Sequence, residues 1–272
     1  MIICRIATEQ FNGPRYGIVD GESVVLLDEG YCIGDADLTV TDARLALDDV
    51  RLLAPVVPSK IVCIGRNYLE HAIELGNKMP EEPLLFLKAP SAVIGTGDRI
   101  QLPPQSQQVE HEGEVGVVIG REARALSDDD DPQSYVFGYT CVNDVTARDL
   151  QRKDVQFTRG KSFDTFCPVG PWIVTDIDPT NLEVTTRLNG ETKQHGNTAD
   201  MAFPVTHLIR YISAVMTLYP GDLIATGTPA GVSRMKHGDT VEVEVSRVGT
   251  LKNQVYDRSL AAEQREKRED LS

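Results

Sequence analysis

The stretch VEHEGEVGVVIG, residues 109–120, carries glutamate at every second position and then turns apolar. Such alternation reads as a β-strand, because successive side chains leave a pleated backbone on opposite faces. Glu110, Glu112 and Glu114 therefore share a face, while His111 alternates away and reads as a packing residue. The run Val115, Gly116, Val117, Val118 has the composition of buried strand. Carboxylates next to buried strand repel one another and lose hydration, which is costly unless positive charge sits among them. Two explanations stand: a hard divalent cation such as Mg²⁺, Mn²⁺ or, less well, Ca²⁺ held by oxygen ligands, or a charged face in solvent.

The rest of the chain is also mostly β. YGIVDGESVVLL reads as a hairpin with Asp20-Gly21 as its two-residue turn. KIVCIG, PLLFLKAP, WIVTDI, LEVTTRLNG, DLIATGTP and DTVEVEVSRVGTLKN read as strands. Convincing helices are few. NYLEHAIELG (67–76) has Asn67 as a candidate cap and Gly76 as a stop, and PVTHLIRYISAVMTLYPGD (204–222) has apolar residues at helical spacing before Pro-Gly. No repeat and no βαβ rhythm with a Gly-rich phosphate loop is present, which excludes a Rossmann fold. LAPVVPSK is a Pro-flanked connection, so the expected division is a small N-terminal β domain (1–57), a larger catalytic domain (58–258) and a polar tail (259–272).

Composition narrows the function classes. Of 272 residues, 27 are Lys or Arg and 41 are Asp or Glu, a formal net charge of −14. Phosphates would be repelled, which argues against nucleic acid and anionic membranes as partners. Five scattered cysteines without CxxC spacing support neither a disulfide framework nor a zinc site. No basic segment followed by an apolar run opens the chain, and no apolar stretch approaches the ~20 residues that span a bilayer. A cytoplasmic protein is the expectation. The run of Asp at 128–131 reads as a solvated loop.

A second acidic position strengthens the metal reading. In YTCVNDVTARDLQRKD, Asp144 follows a buried-looking run, where it could be a third carboxylate ligand or a helix cap. Asp149 and Asp154 look like surface or salt-bridging residues. His71 and Glu74, three apart on a predicted helix, share a face. That spacing suits a carboxylate orienting an imidazole base, but a surface His beside a surface Glu fits equally. Lys161 follows Gly160, a setting that is usually solvent-exposed.

CIGRNYLEHAIELG, EHEGEVGVVIG, GYTCVNDVTARDLQ, RGKSFDTFCPVGPWIV and GDLIATGTPAGV occur in this order. Together they resemble the fumarylacetoacetate hydrolase family, in its acylpyruvase-like and 2-hydroxyhepta-2,4-diene-1,7-dioate isomerase-like branch. The resemblance covers roughly residues 60–256, and the first 55 or so resemble the family's small N-terminal β domain. It implies a mixed β-sandwich roll with few helices, mostly β (α+β), assembled as a homodimer. It places the family's E-x-E pair on Glu112 and Glu114 and its third metal carboxylate on Asp144, binding Mg²⁺ or Mn²⁺. Larger members carry a further Asp near Arg66; here GRNY stands instead, which implies three protein ligands. Glu110 falls outside the pair and is expected to be strand-edge charge, with a supporting role behind the metal ligands as the lesser alternative.

The same resemblance makes His71 and Glu74 a water-activating dyad on a lid helix. It puts Lys161 beside a chelated 2-keto acid, where it would stabilise a developing enolate. Arg66, Gln151 and Thr228 become substrate-binding residues, while His195, His207 and His237 match nothing and are expected to be structural or exposed. The implied activity is a metal-dependent hydrolase cutting the C–C bond of a 2,4-diketo acid, of acylpyruvate or fumarylpyruvate type, to pyruvate and a carboxylic acid. Oxaloacetate decarboxylation and isomerisation or decarboxylation of 2-hydroxyhepta-2,4-diene-1,7-dioate are alternatives on the same scaffold. A metal-stabilised dicarboxylate-binding protein is the non-enzymatic alternative, against which His71, Glu74 and Lys161 together argue.

Overall fold

The computed structural model describes residues 1–35 and 37–258, so the expected tail at 259–272 lies outside the described residues. The sequence stretch quoted above lies at the centre of the fold. Gly113–Ile119 is buried at every position. It pairs antiparallel with Val136–Asn143 on one side and Leu223–Ala225 on the other, inside a 12-stranded sheet. A five-stranded sheet packs over it, in the order Glu191–Asn197, Glu183–Leu188, Thr240–Val245, Gly249–Asp257, Arg99–Leu102.

Alternation along Gly113–Ile119 divides two cores. Val115, Val117 and Ile119 pack with Val184, Val243 and Val245 of the five-stranded sheet. Val118 belongs to the opposite cluster with Val142, Leu223 and Phe166. Gly113 faces the five-stranded sheet so closely that a Cβ there would lie 2.0 Å from Thr186 Oγ1. The architecture is the expected mostly-β one, with four α-helices among the described residues.

The first strands extend the large sheet. Ile2–Ala7 pairs with Cys167–Val174 through Ile2↔Val174 and Ile3↔Ile173. On its other side come Arg15–Asp20, Ser23–Leu27 and Val40–Ala46. The hairpin closes on the pair Asp20↔Ser23, so its two-residue loop is Gly21 and Glu22, one residue later than expected. Gly21 has φ +60, the left-handed conformation a tight hairpin loop requires.

The helices differ from expectation at their ends. The first covers Leu69–Glu74 only. Asn67 does not cap it. Its amide bridges instead to Phe203 O, Thr226 O and Phe203 N, tying the start of the helix to two other loops. Gly76, with φ +70, closes the far end as expected. The helix within 204–222 is Val205–Val215, with Pro204 before its first turn. No helix among the described residues is long and apolar enough to cross a membrane.

Candidate active site

The strand carrying Glu112 is not continuous with the residues before it. Val109–Glu110 pairs with Thr146–Ala147, and the main strand begins at Gly113. Asn143 causes the break: its side-chain oxygen accepts from Glu112 N at 3.0 Å, and Asp144 N donates to Glu112 O at 2.8 Å. Register then does the rest. Gly113 sits opposite Asn143 and Glu114 opposite Val142, so Asp144 emerges beside the two glutamates. Oxygen atoms of Glu112, Glu114 and Asp144 lie within 4.8 Å of one another, and all three residues are buried. Asp144 caps no helix; the next one starts at Arg148.

Three cations surround this trio, two of which the sequence did not single out. Lys161, 1% exposed on the short helix Thr158–Lys161, donates at 2.6 Å to both Glu112 Oε2 and Asp144 Oδ2. It is thus buried rather than on an exposed turn. Lys88, at the end of Leu84–Lys88, donates to Asp144 Oδ1 at 2.6 Å and to Val145 O at 3.1 Å. Arg148 donates from Nε to Glu110 Oε2 at 2.8 Å and from Nη2 to Glu112 Oε1. A fully buried Lys at a strand end and an Arg at a helix start carry no distinguishing sequence pattern; only the fold brings them to the carboxylates.

Glu110 corrects the expectation made for it. It is 7% exposed and salt-bridged to Arg148, and Gln108 Nε2 donates to its other oxygen at 2.6 Å. The reason is the pairing of Val109–Glu110 with Thr146–Ala147, which buries Glu110 next to the start of the Arg148 helix. It holds the guanidinium that holds Glu112. His111 faces the other way, as expected, with Nδ1 against Gln194 and Nε2 against Ser233. Asp149 binds Ser106 Oγ and Gln107 N, outside the site.

Electrostatics separate the glutamates. Burial pushes the Glu112 carboxyl up, but Lys161 and Arg148 outweigh it and hold it well below the ordinary range. Burial works to lower Lys161, and the Asp144 and Glu112 charges more than compensate. Glu114 has no ion-pair partner among the described residues, and the charge of Lys161 helps it too little. Burial, then the charges of Asp144 and Glu112, push its carboxyl well above normal. Its one hydrogen bond among the described residues is from Gly227 N, at 2.8 Å.

That imbalance is the test of whether a metal fits. Four buried carboxylates face three buried cations, and the uncompensated one belongs to a cluster of hard oxygen donors. A carboxylate has about four lone-pair sites, so Glu112 and Asp144 can keep their Lys and Arg partners and still bind an ion. The donor set suits Mg²⁺ or Mn²⁺ and offers nothing to a soft metal.

His71 and Glu74 also come to this place. His71 is 5% exposed, and its Nδ1 lies 3.2 Å from Glu74 Oε2. Glu74 Oε1 accepts from Gly231 N at 3.0 Å, which anchors the helix end to the loop after Leu223–Ala225. Gly231 has φ +104, and a Cβ there would lie 1.9 Å from Lys193 O, so no other residue fits this anchor. His71 Nε2 has no protein partner among the described residues.

A cavity of about 270 Å³ unites these groups. Its walls include Arg66, His71, Glu112, Glu114, Arg148, Gln151, Lys161 and Thr228, along with Phe86 and Phe157. Asp144 and Glu74 lie just behind, each bonded to a residue of the wall. Gln151 Oε1 accepts from Arg148 Nη1 at 2.5 Å, and its amide nitrogen has no protein partner among the described residues. The Thr228 hydroxyl donates to Gly113 O and accepts from Gln194 Nε2, so it positions the loop as well as lining the cavity. All nine residues expected at the site thus gather within one neighbourhood.

Known proteins resemble this chain in sequence and in fold. The fumarylacetoacetate (FAA) hydrolase C-terminal family matches residues 60–256, and the Rv2993c-like N-terminal family matches residues 1–55. Oxaloacetate tautomerase YisK of Bacillus subtilis (strain 168) is 45% identical over 256 residues, covering 82% of this chain and 85% of that one. The crystal structure of 2-hydroxyhepta-2,4-diene-1,7-dioate isomerase from Mycobacterium marinum superposes with a TM-score of 0.85 at 42% identity, over 95% of this chain and 99% of that one. Maleylpyruvate hydrolase from Sphingobium sp. SYK-6, in complex with manganese(II) and pyruvate, superposes with a TM-score of 0.76 at 32% identity, over 94% and 99% of the two chains. By sequence and by fold, the chain belongs to the fumarylacetoacetate hydrolase family.

Proposed function

We propose that this enzyme moves a proton at the carbon next to the keto group of a 2-oxo acid, as a keto–enol tautomerase or double-bond isomerase. The observation that carries this is His71, backed by Glu74, opening into the same small cavity as Glu112, Glu114 and Lys161, with Asp144 just behind them. Glu112, Glu114 and Asp144 would hold a divalent cation, which when bound supplies Lewis acidity to the 2-oxo and carboxylate oxygens. The chain's own residues do the rest. Glu74 accepts the Nδ1 proton of His71, which leaves Nε2 as the base. Nε2 takes a proton from C3 of the substrate, and the positive Lys161 lies where negative charge builds on the C2 oxygen. His71 then returns the proton to the C2 oxygen, giving the enol, or to a conjugated carbon further along, giving the shifted double bond, and the reverse sequence runs enol to keto; no water is consumed.

The ranking differs from the one the resemblance alone suggested. Relatives at 41–45% identity include oxaloacetate tautomerases and isomerases, whereas two hydrolases stand at 37% and 32%. Hydrolysis of a 2,4-diketo acid remains the second reading, because the same His71–Glu74 pair could deprotonate water instead. A panel separates them. With Mg²⁺ or Mn²⁺ present, enol-to-keto conversion of oxaloacetate should outpace pyruvate release from acetylpyruvate and fumarylpyruvate. The reverse order would favour the hydrolase, and no turnover of any of the three would reject both.

A further inference from the structure

The charged groups around the cavity are not equally balanced. At the carboxylate cluster Glu110, Glu112, Glu114 and Asp144 oppose Lys88, Arg148 and Lys161, an excess of one negative charge. A divalent cation reverses that excess, and the C1 carboxylate of a 2-oxo acid then cancels it. Two other cations of the cavity wall, half-buried Arg66 and exposed Arg152, have no such closure. Arg66 and Arg152 both line the cavity, and among the described residues neither forms an ion pair. Among the described residues, the one side-chain hydrogen bond of Arg152 runs from Nη1 to Gln108 Oε1 at 3.5 Å, the limit for such a contact.

Arg152 lies four residues after Arg148 on the helix Arg148–Lys153, so the two share a helix face, with Gln151 on the same side. Arg148 is committed to Glu110 and Glu112. Arg152 is solvent-exposed and uncommitted. A planar guanidinium at the rim of a small cavity matches a carboxylate with two parallel hydrogen bonds.

We propose that Arg152, supported by the charge of Arg66, receives a second carboxylate at the far end of the substrate and selects 2-oxo dicarboxylates over 2-oxo monocarboxylates. The assignment rests on the 2-oxo acid reading above. Its role is selection of substrate, separate from the proton transfer at His71.

The test is calorimetric binding to the full-length protein at saturating Mg²⁺. Two length-matched pairs serve as probes: oxaloacetate with 2-oxobutyrate, and 2-oxoglutarate with 2-oxovalerate. The wild type should favour the diacid of at least one pair by about tenfold. Arg152→Leu should abolish that preference and leave both monoacids unchanged, and Arg152→Lys should restore part of it. A preference that survives in Arg152→Leu overturns the assignment, as does equal weakening of diacid and monoacid, or a wild type that binds both alike. A wild type that binds none of the four acids rejects the functional reading, and this assignment with it.

Discussion

Arg148 ties Glu110 to Glu112. It is buried against Glu110 and Glu112, and both pairs are almost closed to solvent. Removing one partner of a buried ion pair strands the other charge, at a cost of about 3–5 kcal/mol. Arg148→Leu should therefore lower the stability of the metal-free protein by roughly that amount in urea unfolding. Glu110→Gln keeps the shape and a hydrogen-bonding oxygen and should cost distinctly less. Equal losses would mean that Glu110 matters more than as a support for Arg148. Alternation singled out Glu110, Glu112 and Glu114 alike, and the family resemblance narrowed the set to Glu112, Glu114 and Asp144. Neither reached Arg148 or Lys88, whose partners are 36 to 56 positions away in the chain.

At the scale of elements, the strand Gly113–Ile119 works because its two faces have different tasks. One face is dry packing against the five-stranded sheet, and the other carries Glu114 into the site. Gly113 sets the spacing between them, with Thr186 Oγ1 where a side chain would go. Gly113→Ala should destabilise by about 1–3 kcal/mol through overpacking and weaken Mn²⁺ binding, since Glu112 and Glu114 flank it. Thr186→Ala in the same chain should recover a good part of both. Failure of the second change to help would show that the close approach is not what excludes a side chain. Alternation made this strand readable, and the break at His111 and Glu112 was not readable, because it depends on the Asn143 side chain. The helix Leu69–Glu74 is legible in the sequence but its cap is not, since the Asn67 amide bonds Phe203 and Thr226 instead.

At the scale of the molecule, the N-terminal strands and the catalytic strands form one hydrogen-bonded sheet through Ile2–Ala7 and Cys167–Val174. Trp172 packs against apolar clusters on both sides of that junction. One continuous sheet should unfold as a unit. Scanning calorimetry should give a single transition, and Mn²⁺ should move it upward, by the equivalent of about 2.7 kcal/mol at a hundred times its dissociation constant. Two separated transitions, with only the later one responding to Mn²⁺, would show that the N-terminal strands fold independently. The order of strands in this sheet was beyond the sequence. Local pattern identifies strands, whereas their neighbours come from pairings as distant as Ile3 with Ile173.

The central claim is that His71, held by Glu74, moves a proton on a 2-oxo acid seated at the Glu112, Glu114 and Asp144 cluster. Exchange of the C3 hydrogens of oxaloacetate in D₂O with Mn²⁺, followed by NMR, tests it most directly. The wild type should accelerate exchange over Mn²⁺ alone, and His71→Ala should lose about 10²–10⁴-fold of that acceleration while binding Mn²⁺ as tightly as before. A His71→Ala protein that exchanges the C3 hydrogens at the wild-type rate would contradict the account.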